Sequence, residues 1–585
     1  MKQPPCRTPG RLTAALALTA ALAACAPPPP PGAPSPPPPP VTAQPAPAAS
    51  APAPEPFPAL RDRIVEDALR DDPSFARSQG LHDHDGKVAD LSAAAVQRQI
   101  ARLERDRAAL AAVDPGSLSP DERLDRAVLL QRIDLTLFQR KEIEDWRRRP
   151  QRYTELFAVN DYLDRAYAPL PERAKRLLEH EKAALAQVPR IRENLASPLS
   201  RPVVETSIQI YRGYAEYLRG DVVKLLQGVG DAAFQQDFAR TNAALADAAA
   251  AIADHLEKVE LPKADMSHVL GEERYRKLLL AQEGVSMPLA EFKKKGTDNL
   301  AANRAAYQEL AKKTRQTRPK ATRLIAEATR MMDASRKFII DRKIVTIPSE
   351  DRAMVKETPP FMRWNSAFLR DPGPFDPPGL EAYYYITMPD PSWPKKEQEE
   401  YVSPMGSLLM TTVHEVWPGH FLQGLWVRKA PTRVQQMFQS YSFVEGWAHY
   451  AEQLVVEEGL GKEDPQNRLG QLHEALLRNC RYLVSIGIHT EGMSLDEAEE
   501  RFADDCFQDR ATARQQAARA TFDPGYFAYT FGKLSILELR EEARAKLGAS
   551  FSLQRFHDAL LAHGGAPVAL LRDRVLADLG ITSAK

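Results

Sequence analysis

Several features that would define a protein class directly are scarce in this chain. Lys and Arg (78 residues) balance Asp and Glu (78 residues), so the zero net charge gives no electrostatic reason to expect a nucleic-acid partner. Only four of 585 residues are cysteine, too few for a disulfide framework in a protein of this size. Residues 59–585 contain no repeat of fixed period and no apolar run long enough to span a membrane.

The N-terminus predicts export as a lipoprotein. Basic residues precede a short apolar run at residues 12–24, which has the length of a signal-peptide core. The run ends in Leu-Ala-Ala before Cys25, and this pattern resembles a bacterial lipobox, whose cysteine becomes the lipidated first residue. Several acyl chains would anchor the protein stably. Ala26 suggests the periplasmic face of the outer membrane, and an ordinary signal peptide with an incidental Cys25 is the alternative.

The remaining chain divides into a linker and one large unit. Residues 26–58 are mostly proline and alanine, which predicts an extended, disordered tether. No linker divides residues 59–585, so we predict one catalytic domain there. Its two cysteines, Cys480 and Cys506, are expected to be free and structural, with a disulfide as the alternative.

Periodicity and capping predict a mainly α-helical domain. Apolar residues recur with helical spacing at Val96, Ile100, Leu103 and Leu110. Ser119 with Glu122, and Ser494 with Glu497, have the spacing of capping boxes at helix N-termini.

Two segments predict strands of a small sheet, residues 343–347 and residues 382–387. The stretch between them, residues 358–379, is predicted to be a proline-rich loop. Tyr384 and Tyr385 are candidate substrate contacts, although such residues more often pack in a core. If the second segment were an edge strand, it could pair with a peptide substrate.

The most informative segment contains His414, Glu415, Pro418, Gly419 and His420. Zinc hydrolases often place two histidines four residues apart on a helix, with a glutamate after the first. Here the spacing is six, which on a straight helix would leave the two side chains about 120° apart. Pro418 clashes with a continuing helix, and Gly419 adopts unusual dihedral angles. We therefore predict a broken or bulged helix in which both histidines face one metal.

A third ligand is expected from a second helix. A zinc site with two histidines needs another protein ligand and an open position for water. Glu445, His449 and Glu452 share one helical face. Glu445 is the predicted ligand and His449 the alternative, while Glu452 would orient a histidine from behind.

Both segments resemble a known family. The sequences His-Glu-Val-Trp-Pro-Gly-His-Phe-Leu-Gln from His414 and Glu-Gly-Trp-Ala-His-Tyr-Ala-Glu from Glu445 resemble the bacterial domain-of-unknown-function family 885 (DUF885). That family is similar to the helical gluzincin peptidases, such as thimet oligopeptidase. The resemblance extends over most of residues 59–585, including the stretch around His82. It implies a mainly α, two-lobed fold with a small β-sheet beside the active-site cleft, and a glutamate ligand where Glu445 stands, 25 residues after His420.

Two later segments extend the resemblance. One runs from Arg481 to His489 and has Ser485 where the family usually carries an aspartate; the other begins at Tyr529. In related gluzincins a late tyrosine and a histidine stabilise the tetrahedral intermediate. The resemblance therefore implies catalytic roles for Tyr529 and His489, with Arg481 as a possible substrate contact. Helix packing is the alternative role for each.

Together these features predict a hydrolase with one Zn²⁺ per chain, in which Glu415 acts as general base on the metal-activated water. Short peptides are the expected substrates, in the cell envelope, with membrane contact only through the lipid anchor. One alternative is hydrolysis of non-peptide amides, esters or cell-wall peptides. Another is a non-catalytic envelope lipoprotein that retains the fold. The sequence predicts no oligomeric state.

Overall fold

The computed structural model describes residues 55–359, 362–363 and 366–581. Cys25 and residues 26–54 of the predicted linker lie outside the described residues, so the lipid anchor remains a prediction. The linker was predicted to reach residue 58, but the first helix already begins at Phe57. The folded unit begins at Glu55. No helix within the described ranges is both long and apolar enough to cross a bilayer.

Helices dominate the described chain. Those of the first half are α1 (Phe57–Asp71), α2 (Pro73–Ser78), α3 (Ala93–Ala112), α4 (Pro120–Leu137), α5 (Asp145–Arg148), α6 (Leu170–Asn194), α7 (Arg201–Tyr217), α8 (Val223–Leu226), α9 (Ala232–His255), α10 (Gly271–Glu283), α11 (Leu289–Ala311) and α12 (Leu324–Asp341). Those of the second half are α13 (Lys395–Tyr401), α14 (Met405–Glu415), α15 (His420–Val427), α16 (Arg433–Met437), α17 (Tyr441–Glu457), α18 (Pro465–Thr490), α19 (Leu495–Glu500), α20 (Arg510–Phe522), α21 (Ala528–Leu547), α22 (Leu553–Leu561) and α23 (Val568–Asp578).

The predicted helix signals are confirmed. The capping box of Ser119 opens α4 and that of Ser494 opens α19, each with its glutamate hydrogen-bonded back to the cap. Ile100, Leu103 and Leu110 form the buried side of α3. Local hydrogen bonding and one apolar stripe are sufficient to define these elements, because both act over a single helical turn.

A three-stranded sheet precedes α14, with strands β1 (Ala353–Glu357), β2 (Ala367–Arg370) and β3 (Ala382–Ile386). The order is β1-β3-β2, with β1 parallel and β2 antiparallel to β3. The prediction for residues 382–387 is therefore confirmed up to Ile386. Peptide pairing at this segment required an edge strand, and β3 is instead central with both its sides paired. The predicted loop at residues 358–379 was also incomplete, since it contains β2.

The strand predicted at residues 343–347 is wrong. The first backbone N–H groups there bond to carbonyls at the end of α12, and Thr346 bonds to side chains, so none of these groups pairs with a neighbouring strand. The Thr346 N–H donates to Asp558 Oδ1 at 2.8 Å, and the Thr346 carbonyl accepts from Trp426 Nε1 at 3.0 Å. Side-chain partners satisfy backbone polar groups as well as a neighbouring strand would. A β-branched composition alone therefore could not show whether residues 343–347 form a strand.

Buried apolar side chains form three clusters. The first joins α1, α12, the sheet, α14, α15 and α17 with α21–α23. The second lies around α6, α7 and α9, and the third around α10, α11, α18 and α20. At the crossing of α17 and α21, a Cβ atom on Gly532 would lie 1.8 Å from the Ser442 carbonyl oxygen. Glycine at this crossing lets the two backbones approach closely, so α17 packs tightly against α21.

The two cysteines of the folded unit are paired. Cys480 in α18 and Cys506 are completely buried and form a disulfide, with 6.3 Å between their Cα atoms. The expectation of free thiols is wrong. The segment Arg501–Asp505 folds back onto α18, and this tertiary contact brings together residues 26 positions apart.

Candidate metal centre

The helix carrying His414 breaks where the Pro-Gly pair predicts. Helix α14 ends at Glu415, and α15 begins at His420. The two imidazole rings lie 4.7 Å apart between centroids, with their planes at 85°. The six-residue spacing is therefore compatible with one shared site, because the second histidine begins a new helix after the break.

The turn between these helices is closely packed. The Gly419 N–H donates to the Val413 carbonyl at 3.0 Å, and Trp447 Nε1 donates to the Pro418 carbonyl at 2.8 Å. A Cβ atom on residue 419 would lie 1.8 Å from the His414 carbonyl oxygen. Only glycine fits this approach, and the fully buried Trp447 ties the turn to α17.

Glu445 completes a three-residue cluster. Its Oε2 atom lies 3.4 Å from His414 Nε2 and 3.6 Å from His420 Nε2, and one ligand atom from each residue falls within 4.8 Å of the others. Zinc bonds of about 2.1 Å in tetrahedral geometry separate neighbouring ligand atoms by about 3.4 Å. Two imidazole nitrogens and one carboxylate oxygen are also a donor set that zinc takes. The residues present therefore fit a zinc ion, and Glu445 rather than His449 is placed to complete the set.

Behind His414 lies a buried charged network. Glu452 is completely buried; its Oε1 lies 2.7 Å from His414 Nδ1 and 3.3 Å from Arg478 Nη2. Its other oxygen lies 3.3 Å from His449 Nδ1. Burial opposes ionisation, but Arg478 and the histidines outweigh it and hold the pKa of the Glu452 carboxyl below its usual range. Glu452 thus has the predicted orienting position, and His449 belongs to this network.

The cluster holds opposite charges in a buried setting. Burial would lower the pKa of His414, but hydrogen bonds to Glu445 and Glu452 outweigh it and raise that pKa to about 9. Burial would raise the pKa of Glu445, but hydrogen bonds to His414 and His420 hold it well below its usual range. Without a bound ion, His414 therefore holds a proton at the position where a metal cation would bind.

Glu415 is adjacent to the cluster, and its carboxylate has no polar partner among the described residues. It is 8% exposed, and its carboxylate makes no hydrogen bond or ion pair with any described residue. A carboxylate beside a metal site that is not committed to a partner remains available to accept a proton.

Tyr529 lies close to the cluster, and Arg481 packs on Tyr529. Burial and the charge of Glu445 raise the pKa of Tyr529 to about 12. The guanidinium of Arg481 lies 4.6 Å from the centre of the Tyr529 ring, and Arg481 Nε donates to Gln516 at 2.9 Å. Tyr441, one turn before Glu445 on α17, packs edge-on against Tyr529 at 5.7 Å. A phenol therefore lies near Glu445, and a guanidinium packs on the ring of that phenol.

Three other predicted residues make no hydrogen bond, ion pair or ring contact with the candidate ligands. His489 is completely buried and its Nε2 bonds to the Ala520 carbonyl at 2.9 Å. It lies 11 residues beyond Arg478 on α18, hence about 16 Å along the helix. Tyr384 is completely buried with its hydroxyl 3.4 Å from Thr412 Oγ1, and Tyr385 packs on Phe368 at 5.3 Å. His489 and Tyr385 occupy packing positions, whereas Tyr384 packs against α14, where burial and the charge of Glu415 raise the pKa of its phenol.

Sequence reasoning missed some neighbours of the site. Arg478 lies one turn before Arg481 on the same helix, and Tyr441 lies one turn before Glu445. The helical spacing that grouped Glu445 with Glu452 also includes Tyr441, so this residue could have been found. Arg519, which donates to Tyr441 at 3.0 Å, comes from α20, and no local pattern links it to the site.

Comparison with solved structures shows the fold of this chain in other proteins. A lipoprotein of unknown function from Shewanella oneidensis matches at 23% identity and a TM-score of 0.72, covering 89% of this chain and 99% of its own. A lipoprotein from Colwellia psychrerythraea matches at 18% identity and a TM-score of 0.68, covering 90% of this chain and 99% of its own. These likenesses show the same fold. No curated protein matches the chain.

The family match covers the whole site. The model for a bacterial protein of unknown function (DUF885) matches residues 73–575. This range includes both helices of the metal motif, the buried network behind it and Tyr529. Because the match spans most of the sequence, the chain belongs to the DUF885 family.

Proposed function

We propose that the protein is a zinc-dependent hydrolase that cleaves peptide bonds in short peptides. The observation that carries the proposal is the convergence of His414, His420 and Glu445 next to the uncommitted carboxylate of Glu415. A helical fold with a small sheet just before α14 also supports a gluzincin-like, two-lobed peptidase. That relationship remains part of the proposal.

Each residue has a defined role in this proposal. His414, His420 and Glu445 would hold the ion, and Glu452 would fix the His414 ring through Nδ1. A bound zinc lowers the pKa of water to about 7 and polarises a carbonyl. Glu415 would accept the proton of the attacking water and deliver it to the leaving amine.

Tyr529 would act on the carbonyl oxygen. Its raised pKa of about 12 keeps the phenol protonated at neutral pH. A protonated phenol can donate a hydrogen bond to an oxygen that becomes negative in the transition state. Arg481, packed on the Tyr529 ring, holds the ring in place and carries a charge beside the substrate path.

We propose an envelope location for this activity. The lipobox-like sequence ending at Cys25 supports a lipid-anchored protein, and both structural neighbours are described as lipoproteins. More specifically, we propose attachment to the periplasmic face of the outer membrane, because Ala26 follows the cysteine. Peptides of the envelope would then be its substrates.

The proposal is tested with purified full-length protein. Elemental analysis should find about one zinc per chain. A mixed peptide pool followed by mass spectrometry should show cleavage that a chelator abolishes and added zinc restores. The Glu415→Gln variant should keep its zinc and lose cleavage, whereas Glu463→Gln, an exposed control, should match the wild type. Zinc-loaded protein that cleaves no peptide would overturn the proposed substrate class.

A further inference from the structure

A cavity of about 420 Å³ lies beside the N-terminal end of α17. Its volume is within the range of small-ligand sites, about 300–1,000 Å³. Apolar side chains from several helices form part of its wall, including Leu103, Leu129, Ile133, Phe438 and Phe522. The candidate ligands do not line it.

Two residues of the cavity wall adjoin residues that lead to the candidate metal centre. Phe438 stands three residues before Tyr441, and Phe522 precedes Asp523. Asp523 accepts a hydrogen bond from Tyr441 at 3.1 Å, and Arg149 on the cavity wall interacts electrostatically with Asp523. Tyr441 and Glu445 are one turn apart on α17, so the cavity residues Phe438 and Phe522 lie close in sequence to a tyrosine and an aspartate that connect to the helix of Glu445.

The carboxylates on the cavity wall already have partners. Asp71 binds Arg102 at 2.5 Å, and Asp145 binds Arg140 at 2.7 Å. Asp106 binds Arg63 at 2.8 Å. The remaining one, Asp72, accepts the Phe75 backbone N–H at 2.9 Å as the N-cap of α2. These acids are committed to interactions within the protein.

Two guanidinium groups on the same wall have no such partner. The side chains of Arg132 and Arg149 make no hydrogen bond and no ion pair within 4 Å with any described residue. Arg132 is held by ring contacts instead, with its guanidinium 5.8 Å from the centre of the Phe75 ring and 5.9 Å from that of Phe438. The wall therefore presents two guanidinium groups next to apolar surface, and neither has a carboxylate within ion-pair distance among the described residues.

We propose that this cavity binds a carboxylate of the peptide substrate through Arg132 and Arg149. Guanidinium groups bind carboxylates with strong, directional hydrogen bonds, and the apolar wall would accommodate the adjoining side chain. The inference rests on the proposed peptidase function and adds a preference for acidic peptides. The carboxylate is either the C-terminal one or that of an Asp or Glu side chain.

A matched peptide series tests the proposal and separates the two sources. Each peptide is prepared with a free or amidated C-terminus, and with Glu or Gln at one internal position. We expect kcat/KM to fall about 10- to 100-fold when the bound carboxylate is neutralised. Arg132→Gln and Arg149→Gln should lose the same factor for the charged peptide and little for the neutral one. Arg240→Gln, an exposed arginine of α9, removes the same charge elsewhere and should keep the preference.

A binding measurement keeps this test independent of turnover. Calorimetry with the Glu415→Gln protein gives the Kd of each intact peptide. If no peptide is cleaved but the charged peptide binds more tightly, and the arginine variants lose that difference, the peptidase proposal fails and the carboxylate site stands. If charged and neutral peptides bind and react alike, or the arginine variants keep the wild-type preference while melting normally, the carboxylate site is overturned.

Discussion

Nδ1 of His414 lies 2.7 Å from Oε1 of Glu452, and the carboxylate is completely buried between this imidazole and Arg478. This contact fixes which nitrogen of His414 faces Glu445. A histidine whose second nitrogen is bonded to a carboxylate has a defined ring orientation and a more basic ligand nitrogen.

Replacing Glu452 should therefore weaken zinc binding while leaving the three candidate ligands intact. We expect Glu452→Gln to lower zinc affinity about 10- to 100-fold, measured by competition with a chromophoric chelator. Glu463→Gln, in an exposed loop, should keep the wild-type affinity. Equal affinities in both variants would show that the buried carboxylate has no orienting role.

Zinc binding should release a proton near neutral pH. Without an ion, the pKa of His414 is raised to about 9, so this imidazole is protonated at pH 7.5. A ligand nitrogen must be neutral, so binding displaces that proton, and affinity should increase with pH until about pH 9 and then level off. Calorimetry in buffers of different ionisation enthalpy measures the protons released. A result near zero at pH 7.5 would contradict the raised pKa.

Gly419→Ala should disrupt the turn between α14 and α15. The added Cβ would lie 1.8 Å from the His414 carbonyl oxygen, so the backbone carrying the first histidine must move. We expect zinc content to fall sharply and the free energy of unfolding to decrease by about 1–3 kcal/mol. Gly213→Ala on α7 is the control, because its Cβ meets no atom within 4 Å. Normal zinc content in Gly419→Ala would show that the turn tolerates the change.

Tyr529→Phe should reduce turnover without removing the metal. The change deletes only the phenolic hydroxyl, so zinc content and KM should stay close to wild type while kcat falls about 100-fold or more. Tyr401→Phe on α13 serves as the control for loss of one hydroxyl elsewhere. A parallel increase of KM with unchanged kcat would instead assign Tyr529 to substrate binding.

The sequence by itself determined the local elements and the chemistry of the motif. Capping at Ser119 and Ser494 depends on residues three positions apart, and the break between His414 and His420 depends on Pro418 and Gly419. The face shared by Glu445 and Glu452 follows from helical spacing alone. In each case the interacting groups lie within two helical turns, so their geometry is set by the backbone.

Tertiary structure alone decided which distant residues meet. The Cys480–Cys506 disulfide, the central position of β3 and the remoteness of His489 all depend on packing between elements far apart in sequence. The same holds for Arg132 and Arg149, whose side chains have no ion pair among the described residues. The lack of an ion pair can be recognised only when the positions of all neighbouring carboxylates are known. Packing of large helical surfaces sets these distances, and no spacing within one element encodes them.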